Sequence, residues 1–205
     1  MAKLGFRRAV SDSGVFILTS SEGPSVIVII YVDDAIFMGP DRNTVTKAKE
    51  SFMALWECRD LGETSEFLQM RIRQQGTAIT LDQVNYLRKV LAHFGFVNQK
   101  HAATPLPSGF EPEANTSSPD PLLKQEYQEK VGSLLYLMIG TRPDISYTIT
   151  KMSQFAANPS RRHLDAVNHI CHYLMGTADY KLIYGNVPEG LIAYADADWA
   201  GTKTR

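Results

Sequence analysis

The sequence predicts an α+β fold, with strands concentrated early and helices after them. Three features carry that reading. Several blocks before Leu81 are β-branched or alternate apolar with polar residues, and turn residues bound them. From Tyr127 to Leu174 apolar residues recur at helical spacing. Between these regions, residues 98–121 hold five prolines and few periodic apolar positions, as a loop or linker does.

Residues 14–19 read as a short strand, and Gly23-Pro24 as a turn. Residues 26–32 (Val-Ile-Val-Ile-Ile-Tyr-Val) are a buried strand, because β-branched and aromatic side chains fit a pleated surface. Asp33-Asp34 interrupts the apolar run, residues 35–38 resume it, and Gly39-Pro40 ends it, so two strands flank a short acidic turn as a β-hairpin. Asp41 is placed to cap a helix from Asn43 to about Cys58, with Val45, Ala48, Phe52, Leu55 and Trp56 on one face. A second hairpin follows, with Leu68, Met70 and Ile72 on one strand, Ile79 and Leu81 on the other, and Gln75-Gly76 between them. Asp82 then caps a helix bearing Val84, Leu87, Leu91 and Phe94, and Gly95 stops it.

After residue 121 the prediction is helical. Tyr127, Val131, Leu134, Leu135 and Met138 mark one helix. Pro143 suits the first position of the next, which carries Ile145, Ile149, Met152 and Phe155. Pro159-Ser160 opens a third, with Leu164, Val167, Ile170 and Leu174, and Gly176 ends it. Residues 181–184 and 191–194 read as strands.

The 205 residues are 44% hydrophobic and 21% charged, with formal net charge -1, so global charge does not announce a nucleic-acid binder. Any such role rests on local basic patches. Cys58 and Cys171 form no CxxC pair, and two free thiols in a reducing compartment are expected. The longest apolar run, 26–32, is far short of the roughly 20 residues that span a bilayer. Met1 to Phe6 lacks the apolar core of a signal peptide. The expectation is an intracellular protein with no membrane partner.

Asp33 and Asp34 carry the most chemistry. Adjacent carboxylates at a hairpin tip repel each other, and turn preference alone favours Asn-Gly or Asp-Gly there. A divalent cation removes the repulsion. Mg²⁺ takes oxygen ligands, often one or two carboxylates plus substrate phosphates. Two such ions about 4 Å apart clamp the attacking and leaving oxygens of phosphoryl transfer. From the residues alone a solvated acidic turn fits equally well, since Asp is a common turn residue.

Tyr31-Val32-Asp33-Asp34 on a hairpin followed by a helix resembles the YxDD motif of reverse transcriptases. Leu4-Gly5-Phe6, Ser11-Asp12 and Val15-Phe16 look like the stretch before that motif in copia-type LTR retrotransposon polymerases. Asp60-Leu61-Gly62-Glu63 and Phe67-Leu68, with Met70-Arg71-Ile72, resemble the hairpin that grips the primer end in that family. Gly132-Ser133-Leu134-Leu135-Tyr136-Leu137, Thr141-Arg142-Pro143-Asp144-Ile145, Asn158-Pro159 and His163-Leu164 resemble its helical stretch. The run from Tyr194 through Asp196, Asp198 and Trp199 to Gly201 looks like the opening strand of its RNase H domain. One departure stands out. The family's hairpin usually reads Phe-Leu-Gly, and here Gln69 replaces a glycine that would permit an unusual φ.

The resemblance implies a partial reverse-transcriptase palm over 1–80, thumb and connection helices over 81–178 with the Pro-rich linker 98–121, and the truncated start of an RNase H-like domain over 179–205. The implied activity is RNA-directed DNA synthesis in a retrotransposon pol polyprotein, with an RNA template, a DNA primer and dNTPs as partners. Asp33 and Asp34 would be catalytic and hold Mg²⁺ or Mn²⁺, two ions in the complete enzyme. Asp196 would be the first ligand of an incomplete RNase H-like metal site. The family's first catalytic Asp is expected upstream of residue 1, which makes the isolated chain inactive. The implied location is a cytoplasmic virus-like particle or the nucleus.

Tyr31, Phe67 and Leu68 would lie on the primer and nucleotide side, although plain strand packing also accounts for Tyr31. Arg71 with Arg73, and Arg88 with Lys89, are candidate contacts to the nucleic-acid backbone, with solvated faces as the alternative. Arg161-Arg162-His163 is ambiguous in the same way. The five histidines show no metal spacing with either cysteine. Two other classes stay open. One is a non-catalytic remnant that grips nucleic acid. The other is a degenerate transposon product in which a missing sheet partner exposes the edge of strand 26–32.

Overall fold

The computed structural model describes residues 1–21 and 23–185. It divides into two compact units, Met1–Thr64 and a second that begins at Ser65. Strands and helices mix in both, so the predicted α+β class holds.

In the first unit a four-stranded antiparallel sheet runs in the order β1 (Arg7–Arg8), β2 (Val15–Ser20), β3 (Gly23–Tyr31) and β4 (Asp34–Met38). The apolar run of β3 is its central strand, with Val28 opposite both Phe16 and Phe37. The expectation of an exposed β3 edge is therefore corrected: β2 and β4 cover both of its edges. Burial also differs from that of a strand enclosed on both sides. Val26 and Val28 are buried, while Ile27 and Ile29 are half-buried. Successive side chains point to opposite faces, and the residues on the Val28 face form the core with Phe6 and Ala48.

Ala48 belongs to α1 (Arg42–Met53). Asp41 caps it as expected, accepting from the Thr44 amide at 2.9 Å and the Thr44 hydroxyl at 2.6 Å. The helix stops at Met53 and does not reach Cys58. The amides of both Leu55 and Trp56 turn back to the Phe52 carbonyl, and the Phe52 and Trp56 rings stack with centroids 4.4 Å apart. The apolar spacing thus persists one turn past the regular helix.

The second unit opens on the sheet β5 (Glu66–Phe67), β6 (Met70–Gln75) and β7 (Ala78–Asp82), whose fourth strand is β8 (Leu182–Tyr184). Beside it stand α2 (Val84–His93), α3 (Pro121–Gly140), α4 (Ser146–Ser153) and α5 (Arg161–Gly176). Tyr127, Leu134, Ile149, Leu164, Val167, Ile170 and Leu174 are fully buried among these helices. Leu137 joins them, whereas Leu135 and Met138 sit at the margin of the core. Asp82 acts at the start of α2, but from one residue earlier than a cap. It ends β7 and accepts the Val84 amide at 3.1 Å, while Gln83 occupies the cap position.

Pro143 begins a single 3₁₀ turn, Pro143–Ile145, which leads into α4. Ser160 and His163 exchange hydrogen bonds in a capping box that opens α5. Residues 98–120 form no helix or strand, yet they are a strap on the helices and not a free tether. Leu106 and Phe110 pack on the core. Asn115 donates to the Pro159 carbonyl at 3.1 Å, and Asn158 donates to the Asn115 carbonyl at 3.1 Å. The predicted strand 191–194 and the start of an RNase H-like domain lie largely outside the described residues.

Candidate functional site

Tyr31 pairs with Asp34 across the β3–β4 hairpin, leaving Val32 and Asp33 as a two-residue loop. Val32 takes φ 56°, a region that costs a β-branched residue strain. Its side chain is 86% exposed, so no packing explains its presence there. The strain sits one residue before the acidic pair. Asp33 and Asp34 are both exposed, and Tyr31 is 55% exposed. Gly14 braces the base of this hairpin. Its carbonyl accepts the Ile30 amide at 2.8 Å, and a Cβ on Gly14 would lie 2.8 Å from the Ile30 carbonyl oxygen. Asp12 holds the Gly14 amide at 2.7 Å.

The tip can therefore present two carboxylates to solvent, Asp33 from the loop that follows the central strand β3 and Asp34 from the start of β4. Their oxygens are the hard donors that Mg²⁺ or Mn²⁺ takes. Among the described residues no group of three His, Cys, Asp or Glu gathers as a metal site. Asp33 and Asp34 suit such an ion in kind and would need further donors to complete its shell. Asp196 and Asp198 lie outside the described residues.

Phe67 and Leu68 fall at the β5–β6 turn of the second unit, both half-buried. Leu68 and Gln69 both have positive φ, at 49° and 59°. The position where the family pattern has glycine is thus one that glycine would occupy without strain. Arg71 and Arg73 share a strand face but differ in role. Arg71 is bound to Asp82 through two hydrogen bonds of 2.8 and 3.0 Å. Arg73 is exposed opposite Thr80. Arg88 and Lys89 are exposed on α2, with Arg88 4.0 Å from Asp179.

His163 does not extend the Arg161-Arg162 charge. It is buried, and desolvation lowers its pKa, favouring the neutral ring. The Arg162 guanidinium lies over the Phe110 ring, 5.3 Å from its centroid.

The residue reading missed two arrangements. Arg142 is buried and donates to Asp144 at 2.9 and 2.7 Å, to the Thr177 carbonyl at 3.0 Å and to its hydroxyl at 2.6 Å. Tyr173 adds its hydroxyl to Asp144 at 2.9 Å. The signal was an Arg-Pro-Asp triplet, which sets an acid two residues past a base at a helix start. The second is Tyr136, whose hydroxyl donates to the Leu68 carbonyl at 2.6 Å. Nothing in local periodicity marks a contact across 68 residues.

The family model described as reverse transcriptase (RNA-dependent DNA polymerase) matches residues 1–108. The retrovirus-related Pol polyprotein from transposon TNT 1-94 of Nicotiana tabacum is 33% identical over 96% of this chain, which spans 15% of that protein. The corresponding polyprotein from transposon RE1 of Arabidopsis thaliana is 35% identical over 98% of this chain and 14% of its own length. An uncharacterized mitochondrial protein of Arabidopsis thaliana is 30% identical over 87% of this chain and 74% of that protein. No solved structure matches. Among the described residues no helix is long and apolar enough to cross a membrane. With the acidic hairpin tip in place and similarity to transposon Pol polyproteins over nearly its whole length, the chain belongs to the copia-type reverse transcriptase family.

Proposed function

We propose that this chain supplies the later part of an RNA-directed DNA polymerase within a Pol polyprotein. Residues 1–80 are the end of its palm, 81–178 its thumb and connection, and 179–205 the start of an RNase H-like domain. The observation that carries this reading is the strained, solvent-facing tip at Val32, Asp33 and Asp34. Asp33 and Asp34 are two ligands of the catalytic cations, and other donors complete the set. When bound, Mg²⁺ or Mn²⁺ activates the primer 3′-hydroxyl and stabilises the leaving pyrophosphate. The chain's own part is to hold two negative charges on a rigid mount. Phe67 and Leu68 face the primer side, while Arg73, Arg88 and Lys89 supply positive charge toward an RNA–DNA hybrid.

Primer extension on an RNA template tests this. The isolated chain should give no useful extension. A Pol polyprotein whose matching stretch is replaced by this chain should extend, and Asp33→Asn or Asp34→Asn should each abolish it. Extension that survives both substitutions would sink the reading.

A second reading is a stand-alone remnant that binds nucleic acid without chemistry. The mitochondrial relative favours it, because this chain covers 74% of that protein and not a small part of a polyprotein. Salt-dependent binding of a hybrid, with no extension in either setting, would select it.

A further inference from the structure

The β5–β6 hairpin closes on Leu68 and Gln69, with Phe67 opposite Met70. Positive φ at both loop residues is the type I′ pattern, which Asn-Gly fills easily and Leu-Gln does not. Local preference does not hold this turn, so a contact from elsewhere has to. Tyr136 on α3 provides one through its 2.6 Å hydrogen bond to the Leu68 carbonyl. The tyrosine is itself oriented by Tyr86 of α2, its ring edge to face at 5.0 Å and 72°. Tyr86 in turn donates to the Ser133 carbonyl, one helical turn before Tyr136, at 3.4 Å.

We propose that Tyr136 is a positioning residue: by holding the Leu68 carbonyl it fixes the Phe67-Leu68 turn in the form that meets the recessed 3′ end of a DNA primer. This rests on the proposed assignment of Phe67 and Leu68 to the primer side. Tyr136 need not touch nucleic acid. It converts the packing of two helices into the geometry of a turn whose own sequence disfavours it.

The test is fluorescence anisotropy with the full chain and two labelled RNA–DNA hybrids of equal length, one with a recessed DNA 3′ end and one blunt. The wild type should prefer the recessed end. Tyr136→Phe keeps the ring and removes only the hydroxyl. It should cut that preference about fivefold, roughly one hydrogen bond's worth, and leave blunt-end binding unchanged. Adding Gln69→Gly to Tyr136→Phe should restore much of the preference, because glycine accepts positive φ without a brace. A Tyr136→Phe chain that keeps the full preference overturns the proposal. So does parallel weakening of both hybrids, which marks a merely structural tyrosine. If the wild type itself shows no preference, the primer-side reading fails first and takes this inference with it.

Discussion

Arg71 and Asp82 lock β6 to β7, the guanidinium donating to both carboxylate oxygens across the strand register. Asp82 also receives the Val84 amide, so one carboxylate joins the sheet to the first turn of α2. The pair is partly desolvated. The Asp82 side chain is 6% exposed and that of Arg71 is 26% exposed. Removing one partner strands the other charge, which matters more than the strength of the pair.

Arg71→Ala should therefore destabilise the second unit by about 2–4 kcal/mol, below the roughly 3–5 kcal/mol for a fully buried pair, because Arg71 keeps some solvent. Urea unfolding measures it. The same variants separate structure from nucleic-acid contact. Arg73→Ala should lower the salt slope of hybrid binding by about 1, whereas Arg71→Ala should leave the slope unchanged. Equal slope changes would mean that Arg71 is not committed to Asp82.

Acid should weaken this unit through Asp82 and Asp144. Burial alone would raise both carboxyls. Arg71 and the Val84 amide on Asp82, and Arg142 and the Tyr173 hydroxyl on Asp144, together outweigh it and hold both below the ordinary value. A folded pKa below the unfolded one means the unfolded chain binds protons first as pH falls. The stabilisation is complete above the ordinary carboxylate range and is lost as pH drops through the lowered folded values. The urea midpoint should begin to fall below about pH 6.5, where the unfolded chain protonates the buried His163 first, and fall further below about 5 through the two carboxylates, a second step that Asp144→Asn should flatten in part. A midpoint that rises on acidification would contradict the assignment.

At the acidic tip, Val32→Gly should raise the stability of the first unit by up to about 1 kcal/mol. It relieves a left-handed penalty of roughly 1–2 kcal/mol, and the greater freedom of glycine in the unfolded chain offsets part of the gain. Thermal unfolding of the chain checks the sign. A loss of stability would show that the valine methyls contribute packing that their exposure does not suggest.

What could be read from the residues alone follows the range of the forces involved. Asp41, Ser160 and the apolar faces of α2 and α5 act within a few residues, and their helices begin close to where the pattern puts them, although α1 ends at Met53, short of Cys58. The acidic hairpin was legible because a β-branched strand runs into it, but its two-residue turn is Val32-Asp33 and not Asp33-Asp34, since Asp34 pairs with Tyr31 as the first residue of β4. Pairings set by tertiary contact were not legible. Arg71 looked like a free cation because its partner lies 11 residues away on the next strand. Tyr136 stood out only as part of a family-like helical stretch, because its acceptor is on a distant turn. The strap at 98–120 read as a loop or linker, since prolines without periodic apolar residues mark a loop without saying what its backbone binds.

Thiol labelling tests how the helical core is held. Both cysteines are free, with Cys58 exposed and Cys171 buried. Burial pushes the Cys171 thiol up to about 12, so at neutral pH it holds almost no thiolate in the folded protein. An aromatic disulfide reagent should modify Cys58 rapidly and Cys171 only when the core around α5 opens. Arg142→Ala removes the cation that binds Asp144 and the end of α5 at Thr177, and should cost about 3–5 kcal/mol because Asp144 keeps a partly buried charge. That variant should accelerate labelling of Cys171 by orders of magnitude and leave Cys58 unaltered. If Cys171 labels at the wild-type rate in Arg142→Ala, the clamp does not limit opening of α5, and the buried guanidinium is only a local contact.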